Sequence, residues 1–151
     1  MKMRVETLPP YRIAYVRQTG PYGMSNALAM DSLKQWAGEK QLLDESAILL
    51  GIPQDNPETT LPENCRYDAC IVLPADYQAD STIPECELPG GTYWICTVKH
   101  TTEAVQRAWA ELFPALHDSG YRLDDKPIIE RYAGELLKDD LCEICVPILP
   151  A

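Results

Sequence analysis

The chain has 151 residues, 46% of them hydrophobic, with 13 basic against 23 acidic side chains and a formal charge of -10; a chain of this length can bury roughly 70% of its unfolded surface in one body. No stretch approaches the ~20 apolar residues of a membrane span, and the opening Met1-Lys2-Met3-Arg4 lacks the apolar core of a signal peptide, so a cytoplasmic protein without membrane contact is expected. The acidic balance and the lack of a basic stripe argue against direct nucleic-acid binding, which needs clustered Lys and Arg to displace counterions.

Leu8-Pro9 introduces a strand-like run at 11–18, closed by a Thr19-Gly20 turn. A helix is predicted next, with Ser25 as N-cap and Leu28, Met30, Leu33, Trp36 and Ala37 as its apolar stripe; Asp31, Lys34, Gln35 and Glu39 fall on the polar face. A strand-like run at 47–52 follows, then a Pro-rich polar loop at 53–64 and a strand at 65–73. The stretch 74–84 reads as a linker.

Beyond it the order repeats, about 80 residues on. Leu88-Pro89-Gly90-Gly91 introduces a strand at 92–100. Thr101 or Thr102 can cap a second helix, Glu103 suits its positive N-terminus, and Val105, Ala108, Trp109, Leu112, Phe113 and Leu116 form its stripe, with Gly120 as the stop. Pro114 removes a backbone donor inside this helix, which predicts a kink or an early break. The run Pro127-Ile-Ile-Glu-Arg-Tyr132 matches 47–52, and the closing run 146–150 matches 70–74. The expectation is a single α+β domain over 1–151, built from two β-α-β-β modules at 1–74 and 85–151. They are related by a pseudo-two-fold, with antiparallel sheet, one main helix per module and a concave groove at the seam, where small-molecule sites commonly lie.

Cysteines at 65, 70, 86, 96, 142 and 145 lie mostly in apolar runs. Cys142 and Cys145 have CxxC spacing, but on a strand positions an odd number apart face opposite sides, and no second CxxC or His pair completes a tetrahedral site. Buried free thiols are expected, with no metal. Glycine-rich phosphate loops, G-x-S-x-G and H-E-x-x-H are missing, so no cofactor is expected and weight moves from enzyme to binder. His100 and His117 read as surface or edge residues.

Glu130 stands apart. Ile128, Glu130 and Tyr132 share one face of a strand, and the position matching Glu130 in the first copy is Leu50. Desolvation raises the pKa of a carboxylate among apolar neighbours unless something cationic pairs with it, either a ligand or one of Arg131, Arg122 and Lys99; the alternative is that Glu130 lies on a solvated face. Eight Tyr and three Trp beside one Phe supply amphipathic rings suited to a pocket wall or to cation-π contact; Tyr132 and Trp94 lie on strands near Glu130 and the Gly-Gly turn, whereas Trp36 and Trp109 lie on helix stripes.

Gly20-Pro-Tyr22, Arg66-Tyr-Asp-Ala-Cys-Ile71, Leu88-Pro-Gly-Gly-Thr-Tyr93, Ser119-Gly-Tyr121 and Pro127-Ile-Ile-Glu-Arg-Tyr132, in this order and spacing, resemble the GyrI-like small-molecule-binding family, which also forms effector-binding domains of bacterial transcription activators and multidrug regulators. The resemblance implies two tandem modules around a groove with Glu130 at its base, receiving lipophilic or cationic ligands for sequestration or sensing. The ligand-binding set is then Glu130, Tyr132, Trp94, Trp109, Tyr67 and Tyr22. Trp94 replaces a residue usually small in the family and is expected either to narrow the pocket or to add a stacking wall. The chain begins at its first strand, so a stand-alone member without a DNA-binding helix-turn-helix is expected. The resemblance also implies two alternatives: direct contact with DNA gyrase, as its inhibitor or protector, and hydrolysis of strained-ring genotoxic compounds with Glu130 as the catalytic group.

Overall fold

Alternating β-branched and aromatic runs, punctuated by Pro and Gly, form the strands, and the two stretches with helical apolar stripes form the main helices. The computed structural model describes residues 2–78 and 81–149. In chain order these are β1 (Lys2–Leu8), β2 (Tyr11–Thr19), α1 (Met24–Glu39), β3 (Ile48–Pro53), a 3-10 turn (Pro62–Asn64), β4 (Arg66–Val72), β5 (Glu85–Leu88), β6 (Gly91–Lys99), α2 (Thr102–Ser119), β7 (Ile129–Ala133), α3 (Gly134–Leu137) and β8 (Leu141–Pro147). The linker expected at 74–84 includes Ala79 and Asp80, and the last run expected at 146–150 ends on Pro150; these three, like Met1 and Ala151, lie outside the described residues.

All strands join one antiparallel sheet in the order β1-β6-β8-β7-β3-β4-β2-β5. The expected β-α-β-β units are β2-α1-β3-β4 and β6-α2-β7-β8, joined through the central β3–β7 pair. Two further strands precede them. β1 leads into β2 but pairs with β6, and β5 leads into β6 but pairs with β2, so each half lends its leading strand to the other.

This exchange forces the sheet to curl. β1 and β2 stand six positions apart in the sheet, roughly 29 Å if it were flat, yet only Pro9 and Pro10 connect them, a span of about 11 Å. The link through Pro89 and Gly90 is equally short. The two links cross in contact: a Cβ at Gly90 would lie 2.5 Å from the Leu8 carbonyl oxygen and 2.7 Å from the Pro10 nitrogen. A half-barrel results, and its helix-free face holds a cluster drawn from strands alone, in which Leu8 of β1 and Leu88 of β5 join Ile13, Leu50, Ile52, Tyr93, Ile95 and Ile129.

Both main helices lie on the other face. α1 packs Ala29, Leu33 and Ala37 over Ala14, Ala69 and Ile71, and α2 packs Ala108, Leu112 and Leu116 over Cys96, Ile144 and Val146. Thr101 is the N-cap of α2, its side chain accepting from the Ala104 N–H at 3.1 Å, and Gly120 ends the helix at φ 83°. Pro114 neither stops nor breaks α2, which runs on to Ser119. Pro114 and Ala110 are both exposed, so the Ala110 carbonyl that the proline leaves without a helical donor faces water. Ser25 does not cap α1; Gly23 holds that position, and the Ser25 hydroxyl donates to the Pro21 carbonyl at 2.8 Å. Leu28 and Phe113, expected on the apolar stripes, are 67% and 49% exposed.

All six cysteines are free, Cys86 exposed and the others buried. The helix-free face also holds two buried acids. Glu143 accepts from Arg131 Nε at 2.9 Å and Nη2 at 2.8 Å and from Arg4, and Asp68 accepts from Arg17 at 2.8 and 2.9 Å.

Candidate functional site

Between α1 and α2 the sheet is left bare at the β3–β7 pair, and there a cavity of about 290 Å³ opens. Its floor is Leu49 of β3, Tyr67 of β4, and Glu130 and Tyr132 of β7; α1 supplies Asn26, Ala27, Met30 and Lys34 on one wall, and His100 and Leu137 close the other side. Leu49 pairs with Tyr132 and Gly51 with Glu130, so these residues share the helix-bearing face.

Glu130 is held by neutral donors. Its Oε1 accepts from the indole Nε1 of Trp109 on α2 at 2.9 Å, and its Oε2 accepts from the Tyr132 hydroxyl. None of the ion pairs among the described residues involves Glu130. Arg131, one of the expected partners, points to the opposite face and binds Glu143 instead. Burial, reinforced by the Glu130 charge, pushes the phenols of Tyr132 and Tyr67 well above their ordinary range, so both stay protonated. The same causes raise the thiol of Cys142 to about 11.

Of the six residues expected to bind ligand, three line the cavity: Glu130, Tyr132 and Tyr67. Trp109 stands behind the carboxylate and orients it. Trp94 lies elsewhere, under α2 with its ring 6.3 Å from that of Tyr121, on a strand two spacings, roughly 10 Å, from β7. It neither narrows the cavity nor forms its wall. Tyr22 also lies off the cavity; its hydroxyl donates to the Arg66 carbonyl at 2.8 Å and accepts from the Asp55 N–H at 3.1 Å, fastening the 53–64 loop. His100, expected at the surface or an edge, is exposed on the cavity rim, 5.2 Å from the Tyr132 ring.

Sequence reasoning missed the α1 wall. Asn26, Met30 and Lys34 recur every fourth residue and so form one stripe, a signal masked by the assignment of Lys34 to the solvent face. The expected counterpart of Glu130 also needs correction. β2 and β6 begin 80 residues apart, but β3 and β7 begin 81 apart. The extra residue makes Leu49 the counterpart, whereas Leu50 lies on the helix-free face beside Ile129.

Among known proteins, residues 1–149 match the family model described as a GyrI-like small molecule binding domain. The chain is 40% identical over 149 residues to YosT of Bacillus subtilis (strain 168), a protein derived from the SPbeta prophage and named as a transcriptional regulator, covering 98% of this chain and 99% of YosT. It is 30% identical over 156 residues to a DNA gyrase inhibitor of Edwardsiella piscicida, with 98% of each chain covered. Among solved structures, the EcmrR C-terminal domain superposes with a TM-score of 0.75 at 15% identity, covering 99% of this chain and 98% of that one. SAV2435 bound to tetraphenylphosphonium gives a TM-score of 0.62 at 16% identity, covering 99% and 94%. At these identities the two structures share the fold.

Proposed function

The chain belongs to the GyrI-like small-molecule-binding family, and on that premise we propose that it binds lipophilic cations in the cavity between α1 and the β3–β7 floor, sequestering or sensing them in the cytoplasm. The observation that carries this reading is the state of Glu130, a partly buried carboxylate satisfied only by neutral donors. Such a carboxylate has lone pairs to spare, and a cation entering the cavity meets it in a medium less polar than water. Tyr132, Tyr67, Met30 and Leu49 supply the apolar and aromatic surface a lipophilic ion requires. Support comes from SAV2435, which shares the fold and is bound to such a cation.

Calorimetric titration with tetraphenylphosphonium tests the reading. Glu130→Gln keeps the size of the side chain and removes its charge, and is expected to weaken binding by roughly ten- to a hundredfold, equivalent to about 1.5–3 kcal/mol. Equal affinity in the two proteins would remove Glu130 from the site.

A second reading, direct restraint of DNA gyrase, is favoured by the 30% identity to a gyrase inhibitor across nearly the whole chain. Inhibition of supercoiling by the purified protein at stoichiometric ratio would support it, and unchanged supercoiling at a large excess would exclude it.

A further inference from the structure

Tyr67 is 6% exposed, yet its hydroxyl has no hydrogen-bond partner among the described residues, and it lines the Glu130 cavity. Its ring end stands over Gly51, where any side chain would strike the phenol oxygen. Gly51 is the cross-strand partner of Glu130, and directly opposed side chains stand about 4.5–5.5 Å apart. The Tyr67 hydroxyl therefore fills the place beside the carboxylate that glycine leaves open, and there it offers a free O–H donor. Burial and the nearby charge keep that proton in place.

A second donor faces the same space. Lys34 lines the cavity from α1 and takes part in none of the ion pairs among the described residues, Glu130 included. α1 also brings its first turn, through Asn26 and Ala27, to this wall, with no acidic residue and no side-chain cap to offset the positive end of its dipole. The cavity thus holds a carboxylate at β7 with the Tyr67 hydroxyl beside it on the floor, and across from them an α1 wall that carries the Lys34 ammonium and the unpartnered Asn26 Oδ1.

We infer that this cavity selects zwitterionic ligands: the cationic group rests on Glu130, and an anionic group on the same molecule is received by the Tyr67 hydroxyl and the Lys34 ammonium. The inference rests on the cation-binding reading of Glu130 and adds to it a second, oppositely charged subsite. It runs against the net charge of -10, which by itself favours a plain cation over a zwitterion.

The test is a matched pair of rigid probes titrated into the full chain by calorimetry: 4-(trimethylammonio)benzoate, a zwitterion, and its methyl ester, a cation. The zwitterion is expected to bind about tenfold more tightly than the ester, and Tyr67→Phe and Lys34→Gln are each expected to shrink that ratio at least threefold, in keeping with loss of one charge-assisted contact. An ester that binds as tightly as the zwitterion would overturn the inference, as would a ratio indifferent to both substitutions. Failure of both probes while tetraphenylphosphonium still binds through Glu130 would also overturn it, leaving the cation reading standing. Loss of tetraphenylphosphonium binding as well would remove both.

Discussion

The indole of Trp109 donates to the carboxylate of Glu130 at 2.9 Å, a bond that ties α2 to β7 across the floor of the cavity. It sets the carboxylate between helix and sheet, so the anionic end of the cavity depends on how α2 docks. Trp109→Phe keeps most of the ring and deletes the donor. It is expected to cost about 1–3 kcal/mol of stability, as for a partly buried acceptor losing a partner. A urea midpoint and slope unchanged from the parent would show that the bond contributes nothing.

Gly51 and Tyr67 form a second coupled pair. Gly51→Ala places a methyl where the phenol oxygen stands and 3.2 Å from the ring carbon that bears it, so the substitution is expected to cost about 1–3 kcal/mol by overpacking. Removing the hydroxyl with Tyr67→Phe should relieve part of that strain. The double variant is expected to be more stable than the sum of the single losses implies, by at least 0.5 kcal/mol. Strict additivity in denaturant titrations would mean that the two residues do not meet.

Alkaline pH should destabilise the fold. Burial, then the charges of Glu130 and Glu143, raise the Cys142 thiol from 9.0 to about 11, and burial raises Cys145 to about 12. Both groups hold their protons more tightly when folded, so their contribution is complete below pH 9 and is lost as the pH climbs toward 11 and 12. The slope approaches about 1.4 kcal/mol per pH unit for each group. Urea midpoints measured from pH 8 to 11 should fall, and Cys142→Ala should flatten the decline. A flat profile in the parent protein would contradict the proposed burial of these thiols.

Binder and hydrolase are separable by turnover. A strained-ring alkylating probe incubated with the protein should be recovered unchanged at no more than about one equivalent per chain, because the Glu130 carboxylate accepts from Trp109 and Tyr132, while His100, on the cavity rim, makes no hydrogen bond with it. Mass-spectrometric detection of many water-added products per chain, lost in Glu130→Gln, would establish the hydrolase instead.

Much of this was legible in the residues alone. The period near 80, the Thr101 cap, the Gly120 stop and the two helix stripes identify a duplicated α+β body because they are local chemistry, set by 3.6-residue and 2-residue periods. Glu130 and Tyr132 on one strand face follow from the same rule. What lay beyond reach was every relation between strands distant in sequence. The exchange of β1 and β5 arises only when two-residue links must join strands six positions apart, and it decides the curl of the sheet. The offset of 81 at β3 and β7, against 80 at β2 and β6, moves the counterpart of Glu130 from Leu50 to Leu49, since one residue of slip turns a side chain to the other face. Trp94 and Tyr22 carry the aromatic character of a binding wall but were drawn into the α2 core and the 53–64 loop, whereas Lys34 and Tyr67 reached the cavity. Residue type determined which side chains could line a small-molecule cavity; only the docking of two helices either side of one bare strand pair decided which of them meet there.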